Sequence, residues 1–423
     1  MSESSGVNLA PTIRSLAVLS IPSVLIGAVS ALVLFALDEV AGLLQHGEWV
    51  ALPYSLGIDP DAPGWIFGVL SVTGLAVGLA VWLLPGHGGT DSATTELSAP
   101  PLRPLALPSL ALVTVLALAG GVSLGPENPI IAINTGILVA LLAKLWPRVP
   151  TALVVMITAA ATLGAMFGTP VAAALVLTGM VGSSPQGGAL WDRLFLPLVA
   201  AGAGSITTTI LSHPVFSIHV GTYDHVEPID LVSSIVIAAV ATGIGILAAW
   251  VFPSVHRSFR LLRNPAIYVT AGGILLGVLG VIGGPITLFK GLAQMGELVV
   301  NRHDYDPGQL ALIIVIKVIA LVIAAAAGFR GGRIFPSVFI GAAIGILANA
   351  IVPGIPLPLA VASGILGVVL AVSRDGWVAL FIAVVVTGSL TALPLLCVTI
   401  LPIWLMVSRA PKMIVQTGGA PGA

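Results

Sequence analysis

Long runs of hydrophobic residues fill most of this chain, and short breaks rich in glycine, proline or polar residues separate them. A helix that crosses a bilayer needs about 20 apolar residues, and residues 15–37 and 65–84 reach that length. The last runs are shorter and lie closer together. The pattern predicts helical segments at 15–37, 65–84, 105–124, 129–145, 150–166, 197–211, 229–252, 268–282, 310–327, 336–350, 357–372, 377–386 and 393–407.

The composition supports this prediction. Of the 423 residues, 57% are hydrophobic and only 8% are charged, whereas about a quarter of the residues of a soluble protein are charged. We therefore predict an all-α polytopic membrane protein. The single cysteine, Cys397, excludes a disulfide within the chain and offers no cluster for a metal. A net charge of −1 gives no reason to expect a nucleic-acid partner.

Several breaks share one pattern, in which glycine precedes a proline at the start of an apolar run. The pattern occurs at 120–129, 167–170 and 328–336. Proline suits the first turn of a helix because it has no amide to leave unpaired. Because such breaks fall in both halves, we predict two membrane repeats, residues 1–212 and 213–423. Broken helices at matching places in two halves are typical of a transporter with a binding site near the bilayer midplane.

Basic residues indicate which side of the membrane each loop faces. The loop 256–263 is rich in arginine, Arg14 precedes the first run, and Arg409 follows the last one. Cytoplasmic loops carry an excess of Lys and Arg, so both termini are predicted to be cytoplasmic, with the protein in the cell membrane. The polar stretches 38–63 and 213–227 hold mostly acidic charges and are expected outside.

Glu127 is an acidic residue with long apolar runs on both sides. It precedes Asn128, which can cap a helix, and Pro129, which can begin one. A helix N-terminus inside a membrane presents unpaired amides and a partial positive charge, which attract an anion. One interpretation is a carboxylate that only balances the helix dipole. The interpretation we favour is a gate, in which the carboxylate imitates or displaces an anion.

A second predicted helix start offers further backbone donors. In the stretch 331–336, the amides of Arg333, Ile334 and Phe335 lie where a helix begins, and the glycines before them let a backbone approach an ion. The alternative is a tight turn between two spans without any ligand.

Two more side chains and one pattern of small residues stand out. In the break 86–90, His87 is a ligand, a pH sensor or a surface residue. Lys317 is a cation within an apolar run, and we expect it to have a structural partner such as Asp375 or to lie at the end of a span. The small residues within 341–345 indicate close helix packing.

The sequence has no motif that indicates an enzyme. There is no Walker loop, no cluster of His, Asp and Glu with metal-ligand spacing, and no nucleophile beside a base. We therefore expect no cofactor, no metal and no enzymatic activity. An intramembrane enzyme or a scaffold is a remote alternative that predicts no ion flux.

Four motifs together resemble the CLC family of chloride channels and proton/chloride antiporters. Gly-Pro-Glu-Asn-Pro at 125–129 resembles the family's Gly-Arg-Glu-Gly-Pro, and Gly-Arg-Ile-Phe-Pro at 332–336 is similar to its Gly-x-Phe-x-Pro. Phe-Gly-Thr-Pro-Val-Ala at 167–172 resembles Phe-Asn-Ala-Pro-Leu-Ala, and Gly-His-Gly-Gly-Thr at 86–90 falls on Gly-Ser-Gly-Ile-Pro. Their order and spacing match over nearly the whole chain, and the likeness is greatest to a divergent bacterial branch of ion-transport proteins.

This resemblance implies a fold, an assembly and a set of site residues. The protein would be a homodimer in which each subunit has its own pore, and the second repeat would be inverted relative to the first. Glu127 would be the external gating glutamate. The anion-binding positions implied at the two helix starts are Asn128, Ile130, Ile131, Arg333 and Ile334.

The chain departs from the family pattern at three positions. His87 replaces the anion-coordinating serine, so either its ring or the amides of Gly88 and Gly89 would bind the anion. Met180 replaces the inner proton-carrying glutamate, and a thioether cannot carry protons. Met413 falls on the pore tyrosine.

We therefore predict a transporter of small inorganic, chloride-like anions that works as a channel with Glu127 as its gate. A proton/anion antiporter with a different proton path is the first alternative, and a secondary transporter of a small organic anion is the second. The predicted partners are the anion, the lipid bilayer, a second copy of the chain and, for the antiporter, protons.

Overall fold

The computed structural model of the chain describes residues 13–95, 100–147, 149–182, 190–212 and 216–415. Within these ranges the regular structure is helical and no β-strand forms, which confirms the all-α prediction. The helices are α1 Ile13–His46, α2 Leu52–Leu56, α3 Pro63–Leu83, α4 Leu107–Ala119, α5 Glu127–Leu145, α6 Thr151–Phe167, α7 Pro170–Gly182, α8 Leu190–Ser212, α9 Pro228–Arg260, α10 Pro265–Gly283, α11 Leu292–Val300, α12 Pro307–Ala326, α13 Ile334–Ile351, α14 Leu357–Ser373, α15 Gly376–Thr387 and α16 Leu393–Ser408.

In the described part of the chain, nine helical segments are long and apolar enough to cross a membrane. Four further apolar helices are shorter than a full span, namely Pro104–Ala119, Thr151–Phe167, Leu357–Ser373 and Gly376–Thr387. The prediction of interrupted helices is therefore confirmed.

The prediction of a polar loop at 38–63 was wrong for most of its length. Helix α1 continues to His46, and a π-helical turn, Gly47–Ala51, joins it to α2. Asp38 and Glu39 lower the hydropathy of this stretch but are compatible with an exposed helix face. The first proline within 38–63 is Pro53, after the end of α1.

The helix start predicted at the break 167–170 is present. Phe167 ends α6, Gly168 adopts a left-handed conformation, and the Thr169 hydroxyl accepts the amide of Val171 at 3.3 Å as α7 begins. Asp375 caps α15 by accepting the backbone amides of Trp377 and Val378. Short-range sequence signals thus located these helix ends correctly.

The chain divides into two compact units, residues 1–36 with 134–214 and residues 37–133 with 215–423. The first unit packs α6 against α8, where Gly164 leaves room for the backbone of Ala201. The second unit packs α3 against α10 and α13 against α14. These units describe packing, and they do not test the division into repeats at 212/213, which stays a prediction.

Small residues bring α13 and α14 into close contact within the second unit. A Cβ added at Gly345 would overlap the backbone of Ala360 and Val361, and one added at Gly364 would overlap the carbonyl of Gly341. The predicted role of the small residues within 341–345 in close packing is confirmed.

We expect Gly345→Val to lower the stability of the protein by about 1–3 kcal/mol, because the new side chain forces α13 and α14 apart. Thermal unfolding of the purified protein in detergent would measure this change. Gly354→Val is the matched control, since a Cβ at Gly354 meets no atom within 4 Å. Equal unfolding temperatures for the two variants would contradict the packing argument.

Candidate anion-binding site

Two backbone hydrogen bonds join the breaks before α5 and α13. The amide of Gly125 donates to the carbonyl of Gly332 at 2.8 Å, and the amide of Gly332 donates to the carbonyl of Gly125 at 2.6 Å. Each glycine lies two residues before its helix. The bridge therefore brings two helix N-termini to one place, where amides and dipoles favour a negative charge.

The two bridge glycines leave the space that the Glu127 side chain fills. A Cβ at Gly125 or at Gly332 would overlap the carboxylate of Glu127, and a Cβ at Gly331 would overlap Leu124. These glycines are required here for close approach rather than for an unusual backbone angle.

Glu127 is fully buried, with 0% of its surface exposed. Its Oε1 accepts the amide of Phe335 at 2.9 Å, and the amide of Ile334 lies close to the carboxylate. Its Oε2 has no hydrogen-bond partner among the described residues. The carboxylate thus binds the N-terminus of α13 in the way an external anion would.

Helix α5 begins at Glu127 rather than at Pro129, so the predicted cap at Asn128 was wrong. Pro126 accepts the amide of Ile130 at 3.0 Å and so extends the first turn backward. Asn128 lies inside that turn and is half-buried.

Lys290 is a cation near this carboxylate that the sequence analysis did not identify. Its Nζ lies 5.9 Å from the ring centroid of Phe335, and its charge acts on the carboxylate of Glu127. Lys290 directly precedes Gly291, which has a φ of +94° before α11. The signal in the sequence that could have identified Lys290 is a single lysine in a break between apolar runs.

Lys317 is completely buried and holds the segment that leads to Lys290. Its Nζ donates to the carbonyls of Thr287 at 2.8 Å, Leu288 at 2.9 Å and Phe289 at 2.7 Å. The predicted partner Asp375 was wrong, because that carboxylate caps α15 instead. Three carbonyls satisfy all three donors of an ammonium group, so Lys317 has a structural role.

The backbone amides of Gly88 and Gly89 already donate to other protein groups. The amide of Gly88 donates to the Ser109 hydroxyl at 3.3 Å, and the amide of Gly89 donates to the carbonyl of Gly86 at 2.9 Å. His87 is exposed, has a φ of +51°, and its Nδ1 lies 3.0 Å from the carbonyl of Val81.

Two further predicted residues, Arg333 and Met413, are in contact at the start of α13. The backbone of Arg333 caps α13, while its guanidinium donates to the carbonyls of Met413 and Thr95. Met413 is buried. The side chain of Met180 lies outside the part of the structure that is described.

An ion cluster joins the loop after α3, the end of α9 and the break before α13. The Asp91 carboxylate pairs with Arg260 and lies 3.5 Å from Nη1 of Arg330 and 3.4 Å from Nε2 of His256. Arg330 also donates to the carbonyls of Gly88 and His87, at 3.0 and 3.2 Å. Burial alone would raise the pKa of Asp91, but the hydrogen bond with His256 and the two guanidinium charges outweigh it and hold this pKa at about 2.

We expect Asp91→Asn to destabilise the protein by about 3 kcal/mol or more, because it leaves Arg330 buried without its counter-charge. A carboxyl whose pKa is about 2 rather than 3.8 adds stability above pH 4 and loses it as the pH falls toward 2. The wild type should therefore unfold at a higher temperature than Asp91→Asn throughout pH 5 to 8, and this gap should not close as the pH falls. A gap that closes as the pH falls within this range would show that Asp91 titrates there and would contradict the account.

Comparison with known proteins identifies relatives over most of the chain. The sequence model of a family described as "Voltage gated chloride channel" matches residues 73–406. Two proteins named "Putative ion-transport protein YfeO", from Shigella boydii serotype 4 (strain Sb227) and Escherichia coli (strain K12 / DH10B), are each 46% identical over 408 residues. That alignment covers 96% of this chain and 97% of each relative.

Two solved structures share the fold of this chain. A CLC-type fluoride/proton antiporter superimposes with a TM-score of 0.74 at 19% identity, covering 95% of this chain and 98% of that one. A slow cyanobacterial Cl⁻/H⁺ antiporter superimposes with a TM-score of 0.76 at 16% identity, covering 93% of this chain and 96% of that one. Identities this low show a shared fold and leave the transported ion open.

Proposed function

The chain belongs to the voltage-gated chloride channel family and is a multi-pass ion-transport protein, and we propose that it moves small inorganic anions across the cell membrane through a channel-like path gated by Glu127. The family and the CLC-like fold expected from four motifs are thereby confirmed. The ion, the gate and the mode of transport are the parts we propose.

One observation supports the gate above all. The Glu127 carboxylate occupies the N-terminus of α13, where it accepts the amide of Phe335. An anion needs the same amides, so carboxylate and anion compete for one seat, which we define as the space beside Gly125 and Gly332 that the carboxylate fills. The gate opens when the carboxylate leaves this seat.

The size of the seat favours an inorganic anion over an organic one. The carboxylate fills the space to the point where a single Cβ at Gly125 or Gly332 would overlap it. One halide ion or one small oxyanion has a volume similar to that of the carboxylate group, which has two oxygens and one carbon. A larger organic substrate would need the bridge between the two breaks to open.

We assign the lining of the seat to the two helix starts. Arg333 and Ile334 contribute backbone at α13, and Asn128, Ile130 and Ile131 contribute the first turn of α5. The amide of Ile130 already donates to Pro126, so this residue adds shape rather than a donor. We assign a wall of the anion path to the loop with His87, Gly88 and Gly89, which Arg330 binds. We assign no anion contact to the two glycine amides, because they have other acceptors.

Channel-like passage is favoured over antiport because Met180 takes the place of the inner glutamate in the aligned motif, and a thioether does not exchange protons. The two structural neighbours are antiporters, so a coupled mechanism with a different proton path is the second candidate. We also propose a homodimer with both termini in the cytoplasm.

Chloride efflux from liposomes, recorded together with external pH, separates these mechanisms. We expect chloride to leave without a fixed number of protons moving in the opposite direction. A constant proton-to-chloride ratio across imposed gradients would replace the channel-like proposal with antiport. Absence of flux for chloride, bromide, nitrate and fluoride would reject inorganic anion transport.

We expect Glu127→Gln to keep anion flux while removing its dependence on pH, because a carboxamide cannot titrate and binds the amides of α13 less strongly than a carboxylate. In the wild type, flux should rise as protonation weakens the hold of the carboxylate on those amides. The measurement is the initial efflux rate from liposomes between pH 4.5 and 8. Glu39→Gln removes one exposed acid of α1 and serves as the control. A Glu127→Gln profile that follows the wild type would argue against the gate.

A further inference from the structure

We propose that Lys290 is the fixed cation of the seat: it pairs with the transported anion when Glu127 leaves, and it sets the affinity of the seat and its preference for strongly hydrated halides. This inference deepens the proposed function and rests on it. Nothing in the sequence motifs assigns a role to this residue.

Geometry places the charge of Lys290 within electrostatic range of the seat. Its ammonium lies 5.9 Å from the ring centroid of Phe335, and the backbone amide of the same Phe335 binds the Glu127 carboxylate at 2.9 Å. The ring of Phe335 is held in turn by the edge of Phe216, with centroids 5.5 Å apart. A long-range attraction between Lys290 and Glu127 follows from this arrangement.

Both charged groups keep free bonding capacity. Within the described part of the chain, Lys290 forms neither an ion pair nor a side-chain hydrogen bond. Glu127 Oε2 likewise has no partner there, although its side chain is fully buried. A half-buried ammonium with unused donors next to an anion seat can bind whatever anion occupies that seat.

The backbone that bears Lys290 is fixed by contacts of its own. Lys317 binds the three carbonyls of residues 287–289, and the amide of Phe289 donates to the carbonyl of Gly121 at 2.9 Å. The ring of Phe289 packs edge-on against Trp49. Gly121 belongs to the same break that leads to Glu127. Lys317 is therefore a positioning residue, because it fixes the backbone segment that places Lys290 near the gate.

A fixed cation changes which anions the seat prefers. With Lys290 present, a monovalent anion that replaces the carboxylate still has one positive counter-charge near the seat. A small halide loses more hydration energy than nitrate when it enters, and only a strong field offsets that loss. Without the ammonium, the helix N-terminus alone provides a weaker field, so nitrate should be favoured over chloride.

The test uses the full-length protein in liposomes, with chloride and nitrate as probes. We expect Lys290→Met to raise the half-saturating chloride concentration roughly tenfold or more and to lower the ratio of chloride flux to nitrate flux. Lys290→Arg retains the charge and should stay near the wild type in both measures. Lys144→Met, which removes an exposed lysine from the last turn of α5, is the matched control.

The outcomes distinguish this inference from the function on which it rests. If the wild type transports chloride and Lys290→Met behaves like Lys144→Met, the inference is rejected and the gate stands. If the wild type moves no anion, both are rejected. Should Lys290→Met fail to elute as folded protein, Lys290→Gln replaces it in the same assay, with the same expected loss of affinity and selectivity.

Discussion

The hydrogen bond between the Glu127 carboxylate and the amide of Phe335 is the contact on which the organisation of this protein depends. It joins the first residue of α5 to the first turn of α13, across 208 positions of sequence. The bond requires Gly125 and Gly332 to lack side chains, since either Cβ would overlap the carboxylate. It also requires the reciprocal backbone bridge between the same two glycines, because separate helix starts would not share one ligand. One anionic group therefore explains the position of both breaks.

The other buried charges of the second unit stabilise backbone around this contact. A polar group within a membrane protein must find an internal partner, because lipid provides none. Lys317 finds three carbonyls at 287–289, and Arg330 finds carbonyls of the 86–90 loop together with Asp91. Each fixes an irregular segment that helix hydrogen bonds cannot hold. Oε2 of Glu127 differs from these two cations, since it is buried without a partner among the described residues; the exchange with an ion proposed above needs a group of this kind.

The sequence predicted local features well and distant contacts poorly. Glycine and proline located the breaks, and an acid between apolar runs located Glu127, because both signals lie within a few residues. The glycines at 331–332 also indicated the amides of Arg333 and Ile334 at the second helix start. The resemblance added their anion-binding role, which stays a prediction. Lys290 was missed because it nears Glu127 only after segments 163 positions apart come together. The partner of Lys317 was misassigned for the same reason: the sequence offered a carboxylate, and folding provided carbonyls. The hydropathy of 38–63 was misleading because charges on an exposed helix face lower hydropathy without ending the helix.

The proposed gate requires that a carboxylate and a transported anion compete for one seat at the N-terminus of α13. Anomalous X-ray diffraction from crystals of Glu127→Ala grown in bromide tests this competition, because the substitution removes the tethered carboxylate and bromide marks its own position. We expect a bromide peak within hydrogen-bond distance of the amides of Ile334 and Phe335, where Oε1 of Glu127 lies in the wild type. Bromide bound elsewhere in the protein, with those two amides taken by other protein atoms, would contradict it.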